Sequence, residues 1–173
     1  DGVNYAINSN KQTASVVNGK KTYLSGDIKI AESVTYKDQI YKVTAIEEKA
    51  FSISKNLTSV TIPDGVTSIG EDAFRNCTGL LSVIIPASVT NIGECAFIYC
   101  EALTSVTIPE NVTNIEGMTF YRCSKLESIT IPESVTSIDN YAFAYCTGLT
   151  SVAIPESVTS IGRETFYGCS RLE

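Results

Sequence analysis

Leu149-Thr150-Ser151-Val152-Ala153-Ile154-Pro155-Glu156-Ser157-Val158-Thr159-Ser160-Ile161-Gly162-Arg163-Glu164-Thr165-Phe166-Tyr167-Gly168-Cys169 decides the fold, because the chain repeats it. Counting outward from this stretch, prolines fall at Pro63, Pro86, Pro109, Pro132 and Pro155, always 23 residues apart. Phe51, Phe74, Phe97, Phe120, Phe143 and Phe166 keep the same period, as do Ile46, Ile69, Ile92, Ile115, Ile138 and Ile161. Cys77, Cys100, Cys123, Cys146 and Cys169 form a further column in register. Such self-similarity marks a tandem array of stacked units.

Within one unit, Leu149, Val152 and Ile154 have the spacing L-x-x-L-x-L, and the last four residues of that stretch, 151–154, alternate as a half-buried strand does. Pro155 ends that strand, since proline has no N–H for a sheet ladder. Val158 and Ile161 return to the core through an extended Thr/Ser-rich segment. The Phe and the Cys three positions later have the spacing of one inward helical turn. A single unit is too small to cover its own apolar face, whereas stacked units bury continuous columns of Leu, Val, Ile, Phe and Cys. The expected fold is a repeat solenoid of parallel strands plus short helical turns.

The unit LTSVTIPxxVTxIxxxAFxxC, carried by residues 57–77, 80–100, 103–123, 126–146 and 149–169, resembles the BspA-like leucine-rich-repeat family of bacterial surface proteins. The match covers roughly residues 27–173 in about six units. The resemblance implies a curved leucine-rich-repeat solenoid, export, and adhesion to host or microbial macromolecules. It implies no catalytic residue, because the family's motif consists of core positions.

Composition narrows the functional classes. The 173 residues are 43% hydrophobic and 18% charged, enough for a core and too little charge for disorder. With 13 Lys and Arg and a net charge of −6, no basic cluster exists to neutralise phosphates, which argues against a nucleic-acid partner. The chain has no histidine, the commonest general base and zinc ligand. No apolar run is long enough for a membrane-spanning helix. The chain opens Asp1-Gly2-Val3-Asn4 without a signal peptide, a start that a cleaved export signal would also leave. The expected location is extracellular or at a cell surface, after removal of a signal not present here.

The first unit is irregular. Ile28-Lys29-Ile30-Ala31-Glu32-Ser33-Val34 matches the later Val-x-Ile-Pro-Glu-Ser-Val, and Val43-Thr44-Ala45-Ile46 matches Val-Thr-Ser-Ile. The insertion between them, residues 35–42, alternates around a polar tip and predicts a hairpin. Residues 3–7, 13–17 and 20–24 predict short strands, with Asn18-Gly19 as a turn signal. Residues 1–42 thus form an expected N-terminal β cap that includes the start of repeat 1, and 43–173 the tandem repeats. Leu172 stands in the column that opens another unit, so the C-terminal end is expected to be open and a site of self-association.

Three solvent-facing surfaces are candidates for a partner. On the strand face, Ser82, Ile84, Ser105, Thr107, Ser128 and Thr130 flank the core residues, within a sheet of strands about 4.8 Å apart. On the side expected to be helical, Ile98, Tyr99, Met118, Tyr121, Tyr141, Tyr145 and Tyr167 offer large side chains at low entropy cost. Asp64, Glu110, Glu133 and Glu156 form an acidic row, but parallel carboxylates diverge and suit solvation better than calcium. The pair Glu71 and Asp72 is expected to be exposed and solvated.

Cysteines in register one strand apart are too distant for a disulfide, so the column is expected to be buried and reduced, with Cys95 nearer the surface. No zinc spacing, nucleophile–base pair or glycine-rich phosphate loop appears. No cofactor and no metal site are expected. The leading expectation is a non-catalytic cell-surface module that adheres to protein or glycan partners. The alternatives are a spacer projecting another domain of a longer surface protein and, less favoured, a fragment of an enzyme whose active site lies outside these residues.

Overall fold

A computed structural model describes residues 2–19 and 23–173. Among the described residues fifteen strands follow one another: β1 (Asn4–Asn8), β2 (Thr13–Val17), β3 (Ser25–Lys29), β4 (Ser33–Tyr36), β5 (Gln39–Ile46), β6 (Asn56–Thr61), β7 (Ser68–Ile69), β8 (Ser82–Ile84), β9 (Asn91–Ile92), β10 (Ser105–Thr107), β11 (Asn114–Ile115), β12 (Ser128–Thr130), β13 (Ser137–Ile138), β14 (Ser151–Ala153) and β15 (Ser160–Ile161). Each coil contributes one longer strand, one two-residue strand and one wall of turns. Equivalent strands of successive coils pair in parallel, as in Ser105↔Ser128 and Ile69↔Ile92. This is an open leucine-rich-repeat fold of parallel strands.

The core follows the sequence columns. Phe51, Phe74, Phe97, Phe120 and Phe143 are wholly buried, with Leu57, Leu80, Leu103, Leu126 and Leu149 beside them. The phenyl rings stack face to face from Phe51 to Phe166, with centroids 4.9–5.6 Å apart and planes within 6°. Such offset stacking adds to the burial of the rings themselves.

The stretch expected to be a short helical turn is not helical. Among the described residues there is no helix. The reason lies in where the N–H groups point. Those of Ala73, Arg75 and Cys77 donate back three residues, to the carbonyls of Gly70, Asp72 and Phe74. Those of Asp72, Phe74 and Asn76 donate instead to Glu94, Ala96 and Ile98 of the next coil, at 3.1, 2.8 and 2.9 Å. A helix would aim them all along its own axis. The alternation is set by two left-handed positions per coil, at Asp72 and Asn76 here, and it makes the turn wall a third inter-coil ladder.

The N-terminal hairpin expected at residues 35–42 forms: β4 and β5 pair antiparallel around Lys37 and Asp38, both at positive φ. Positive φ at both central residues is the tight hairpin turn whose twist matches its strands. A second hairpin, β1–β2, adds to it, and β2 runs parallel to β5. The strand expected at 20–24 falls largely on residues 20–22, outside those described. The observed strand there is β3, which pairs in parallel with β6 and so already belongs to the repeat ladder. The Tyr5 hydroxyl accepts from the Ala31 N–H at 3.2 Å, and Ser54 Oγ accepts from the Leu24 N–H at 3.2 Å. Ser54 occupies the cysteine column in the first coil.

One step of the solenoid differs from the others. β3, β6 and β8 form one sheet and β10, β12 and β14 another, with no pairing between β8 and β10. The two-residue strands break at the same step, between β9 and β11. Elsewhere the residue after the column isoleucine donates to the preceding coil: Gly70 to Ile46, Gly93 to Ile69, Asp139 to Ile115 and Gly162 to Ile138, at 2.7–2.9 Å. Among the described residues, Glu116 makes no such bond to Ile92. A Cβ built on Gly70, Gly93 or Gly162 would lie 2.4–2.7 Å from the backbone nitrogen of the coil below, closer than atoms approach. Glu116 carries that Cβ and stands over Glu94. Asp139, which also carries one, stands over Gly117, where the backbone is freer. The turn wall stays closed across this step, with Cys95, Phe97 and Tyr99 donating to Gly117, Thr119 and Tyr121 at 2.9–3.0 Å.

Candidate binding surfaces

The strand face is as exposed as its alternation implies: Ser82, Ile84, Ser105, Thr107, Ser128 and Thr130 all face solvent, and Ile84 is 63% exposed. Near its start, Thr58 and Ser59 both donate hydroxyl protons to Asp27 Oδ1, at 2.7 and 2.6 Å. These bonds, that of Ser59 foremost, hold the Asp27 carboxyl below the usual carboxylate range. The acidic residues Asp64, Glu110, Glu133 and Glu156 are all exposed.

The turn wall presents its side chains from two left-handed columns. One holds Lys49, Asp72, Cys95, Met118, Tyr141 and Glu164, and the other Ile53, Asn76, Tyr99, Arg122, Tyr145 and Gly168. Only Gly168 is free of a Cβ penalty there, and its small size makes room for the Tyr145 ring, which lies 2.7 Å from where a Cβ would stand. The tyrosines of the second column interleave with those one position earlier. Tyr99, Tyr121, Tyr145 and Tyr167 meet edge to face, with centroids 5.7, 5.4 and 5.3 Å apart. The Arg122 guanidinium carbon lies 5.9, 5.9 and 5.2 Å from the rings of Tyr99, Tyr121 and Tyr145, within cation–π range. Burial and the neighbouring Tyr167 and Tyr121 push the Tyr145 phenol up, so it stays protonated near neutrality.

The remaining candidates separate from this ladder. Ile98 is buried, 5% exposed, and cannot meet a partner; its place in the column is occupied by Arg75 and Tyr121 in adjacent coils, which the surface pattern alone does not distinguish. Met118 and Tyr141 are half-buried and line a different cavity, of 340 Å³, with Glu94, Glu116, Gly117, Asp139 and Asn140. Asp72, expected to be solvated, is buried. Arg75 at 3.4 Å and Lys49 at 3.9 Å sit beside its carboxylate, which accounts for a charge being accommodated there. Arg122 is the residue the sequence pattern did not single out; a lone cation among tyrosine columns was its only signal.

The cysteines are free, and four of the five in the column are fully buried. Each thiol donates to the carbonyl of the Phe 26 residues earlier, as Cys123 does to Phe97 at 3.3 Å and Cys146 to Phe120 at 3.1 Å. Burial pushes the Cys77 thiol up to about 12 and the others of the column upward as well. Cys95 is half-buried, as expected; burial first, then Asp72 and Glu94, push it up to about 11, away from nucleophilic character at neutral pH. In the last coil Ile161 is 50% exposed, whereas Ile69, Ile92, Ile115 and Ile138 are buried.

Residues 44–173 match the family described as BspA type leucine rich repeat region, in six copies. Among solved structures, a leucine rich cell surface protein of Faecalibacterium prausnitzii A2-165 is 35% identical, with a TM-score of 0.75 over 100% of this chain. This chain spans 52% of that protein's chain, about half its length. A leucine-rich repeat protein of Bacteroides capillosus is 32% identical with a TM-score of 0.62, over 73% of this chain and 91% of that one. The leucine rich repeat protein of T. pallidum is alike in fold, with a TM-score of 0.78 at 23% identity, over 99% of this chain and 88% of that one. No curated protein matches the chain. Its repeat columns, its three inter-coil ladders and the six matched copies make the chain a member of the BspA type leucine-rich-repeat family.

Proposed function

We propose that the chain is a non-catalytic binding module of a bacterial surface protein, one that adheres to a protein or glycan partner through its turn wall. The observation that carries this reading is the ladder of Tyr99, Tyr121, Tyr145 and Tyr167 around Arg122, half-buried or exposed and held by main-chain bonds on every coil. Large, rigid aromatic side chains and arginine are the residue types that dominate contact surfaces, and a prefixed wall loses little entropy on binding. The family and the Faecalibacterium relative, a cell surface protein, support the surface location. The absence of histidine and the high-lying thiols support a binding role over a catalytic one.

Binding screens of the intact chain against matrix proteins and glycans test the reading, with Tyr121→Ala and Tyr167→Ala as the wall variants. Saturable binding weakened at least tenfold by either variant supports it. Silence across the screens, or binding indifferent to both variants, contradicts it. Deletion of two internal repeats separates it from a spacer, whose projecting role would decline only in proportion to length.

A further inference from the structure

A groove of 210 Å³ opens on the turn wall beside the tyrosine ladder, lined by Glu101, Arg122, Ser124, Tyr145 and Thr147. Its two charged groups have opposite sign, yet among the described residues neither forms an ion pair. The Arg122 fork can only donate and the Glu101 carboxylate can only accept. The hydroxyls of Ser124 and Thr147 donate to the carbonyls of Glu101 and Ser124 in the preceding coils, at 3.4 and 3.3 Å, so with their protons committed their oxygens keep lone pairs to accept. The Tyr145 ring supplies an apolar surface with a polar tip.

We propose that this groove is a subsite for a neutral glycan, with one sugar ring against Tyr145 and its vicinal hydroxyls shared between Arg122 and Glu101. Sugar hydroxyls both donate and accept, which is what an unneutralised arginine and carboxylate side by side require. An anionic ligand would gain from Arg122 but be repelled by Glu101 and by a chain of net charge −6. A peptide adding as a strand needs a run of free main-chain groups, and here three of the lining N–H groups are engaged: Arg122 donates to Ala144, Tyr145 to Tyr167 and Thr147 to Tyr145, at 2.9, 2.7 and 2.9 Å. This subsite rests on the reading of the wall as a binding surface, but it can fail while that reading stands.

The test is a printed panel of neutral oligosaccharides (oligomers of glucose, galactose, mannose and N-acetylglucosamine) alongside sialylated and sulfated ones and matrix proteins, probed with the intact chain. Glu101→Gln and Arg122→Ala are compared with it, their melting curves serving as the check on folding. The expected result is binding to at least one neutral oligosaccharide, weakened tenfold or more by both variants while each still melts cooperatively well above the assay temperature. Failure of all neutral oligosaccharides overturns the proposal, as does neutral binding that both variants leave intact. Binding only to acidic glycans, strengthened by Glu101→Gln, overturns it as well. Protein binding lost in the tyrosine variants, with no glycan binding, overturns the subsite and leaves the binding module standing.

Discussion

The turn wall and the two strand faces are built from the same coils but differ in continuity. Main-chain bonds on the turn wall run unbroken from Lys49 to Tyr145, whereas strand pairing on both faces lapses between the coil of β8–β9 and that of β10–β11, where the Thr104 N–H still reaches the Leu81 carbonyl at 3.4 Å. The difference teaches what each side demands of its residues. On the wall, every second N–H is committed to the next coil, and the left-handed positions accommodate side chains as different as tyrosine, arginine and methionine. On the strand side, the residue after each column isoleucine lies against the backbone below, and a single Cβ at Glu116 coincides with the loss of pairing. The wall is the side with the continuous main-chain ladder, and it carries the aromatic ladder.

That contrast can be broken in several ways. The largest effect is expected from alkali, because the buried thiols act on the core both sides share. Their pKa values lie above the ordinary value of 9.0, so the stability they carry is complete below pH 9 and lost as pH rises toward about 12. Denaturant midpoints should therefore fall steeply over that range, and less steeply in Cys100→Ala. A midpoint independent of pH up to 11 would refute it. Phe120→Ala should cost ~3–5 kcal/mol, since it truncates a wholly buried ring in the stack that spans the break. Equilibrium unfolding reads this directly, and a loss below about 1 kcal/mol would mean the stack is not the core it resembles. Gly93→Ala should cost about 1–3 kcal/mol by forcing apart the coils of β7 and β9, producing a second break like the first. Glu116→Gly is the reverse experiment, expected to gain about 1 kcal/mol as its N–H reaches Ile92. A neutral Gly93→Ala or a destabilising Glu116→Gly would show that the side chain is not what parts the strands.

Most of the fold is legible in the sequence because the repeat is. Columns at a period of 23 identify the core, the parallel stacking and the buried reduced cysteines, since stacked side chains of one type need no further information to be placed. The wall is less legible. A Phe and a Cys three apart suit a helical turn and a tight turn equally, and what separates them is the left-handed backbone at residues such as Ile53, Tyr99 and Tyr145, types that do not advertise it. Only Asp72, Asn76 and Gly168 in those columns carry a local signal. The strand-face residues were readable from alternation, whereas Ile98 turned inward and Asp72 was drawn under by Lys49 and Arg75. Arg122 and Glu101 gain meaning only when successive coils bring them to one groove, since 21 residues separate them in sequence.

Amide hydrogen exchange across the break tests the central claim, that the wall is continuous where the strand faces are not. The N–H groups of Cys95, Phe97 and Tyr99 should be protected as strongly as their equivalents Asp72, Phe74 and Asn76 one coil earlier, while Thr113 and Glu116 should exchange far faster than Thr90 and Gly93. Equal protection of Thr113 and Thr90, or loss of protection at Phe97, would contradict it.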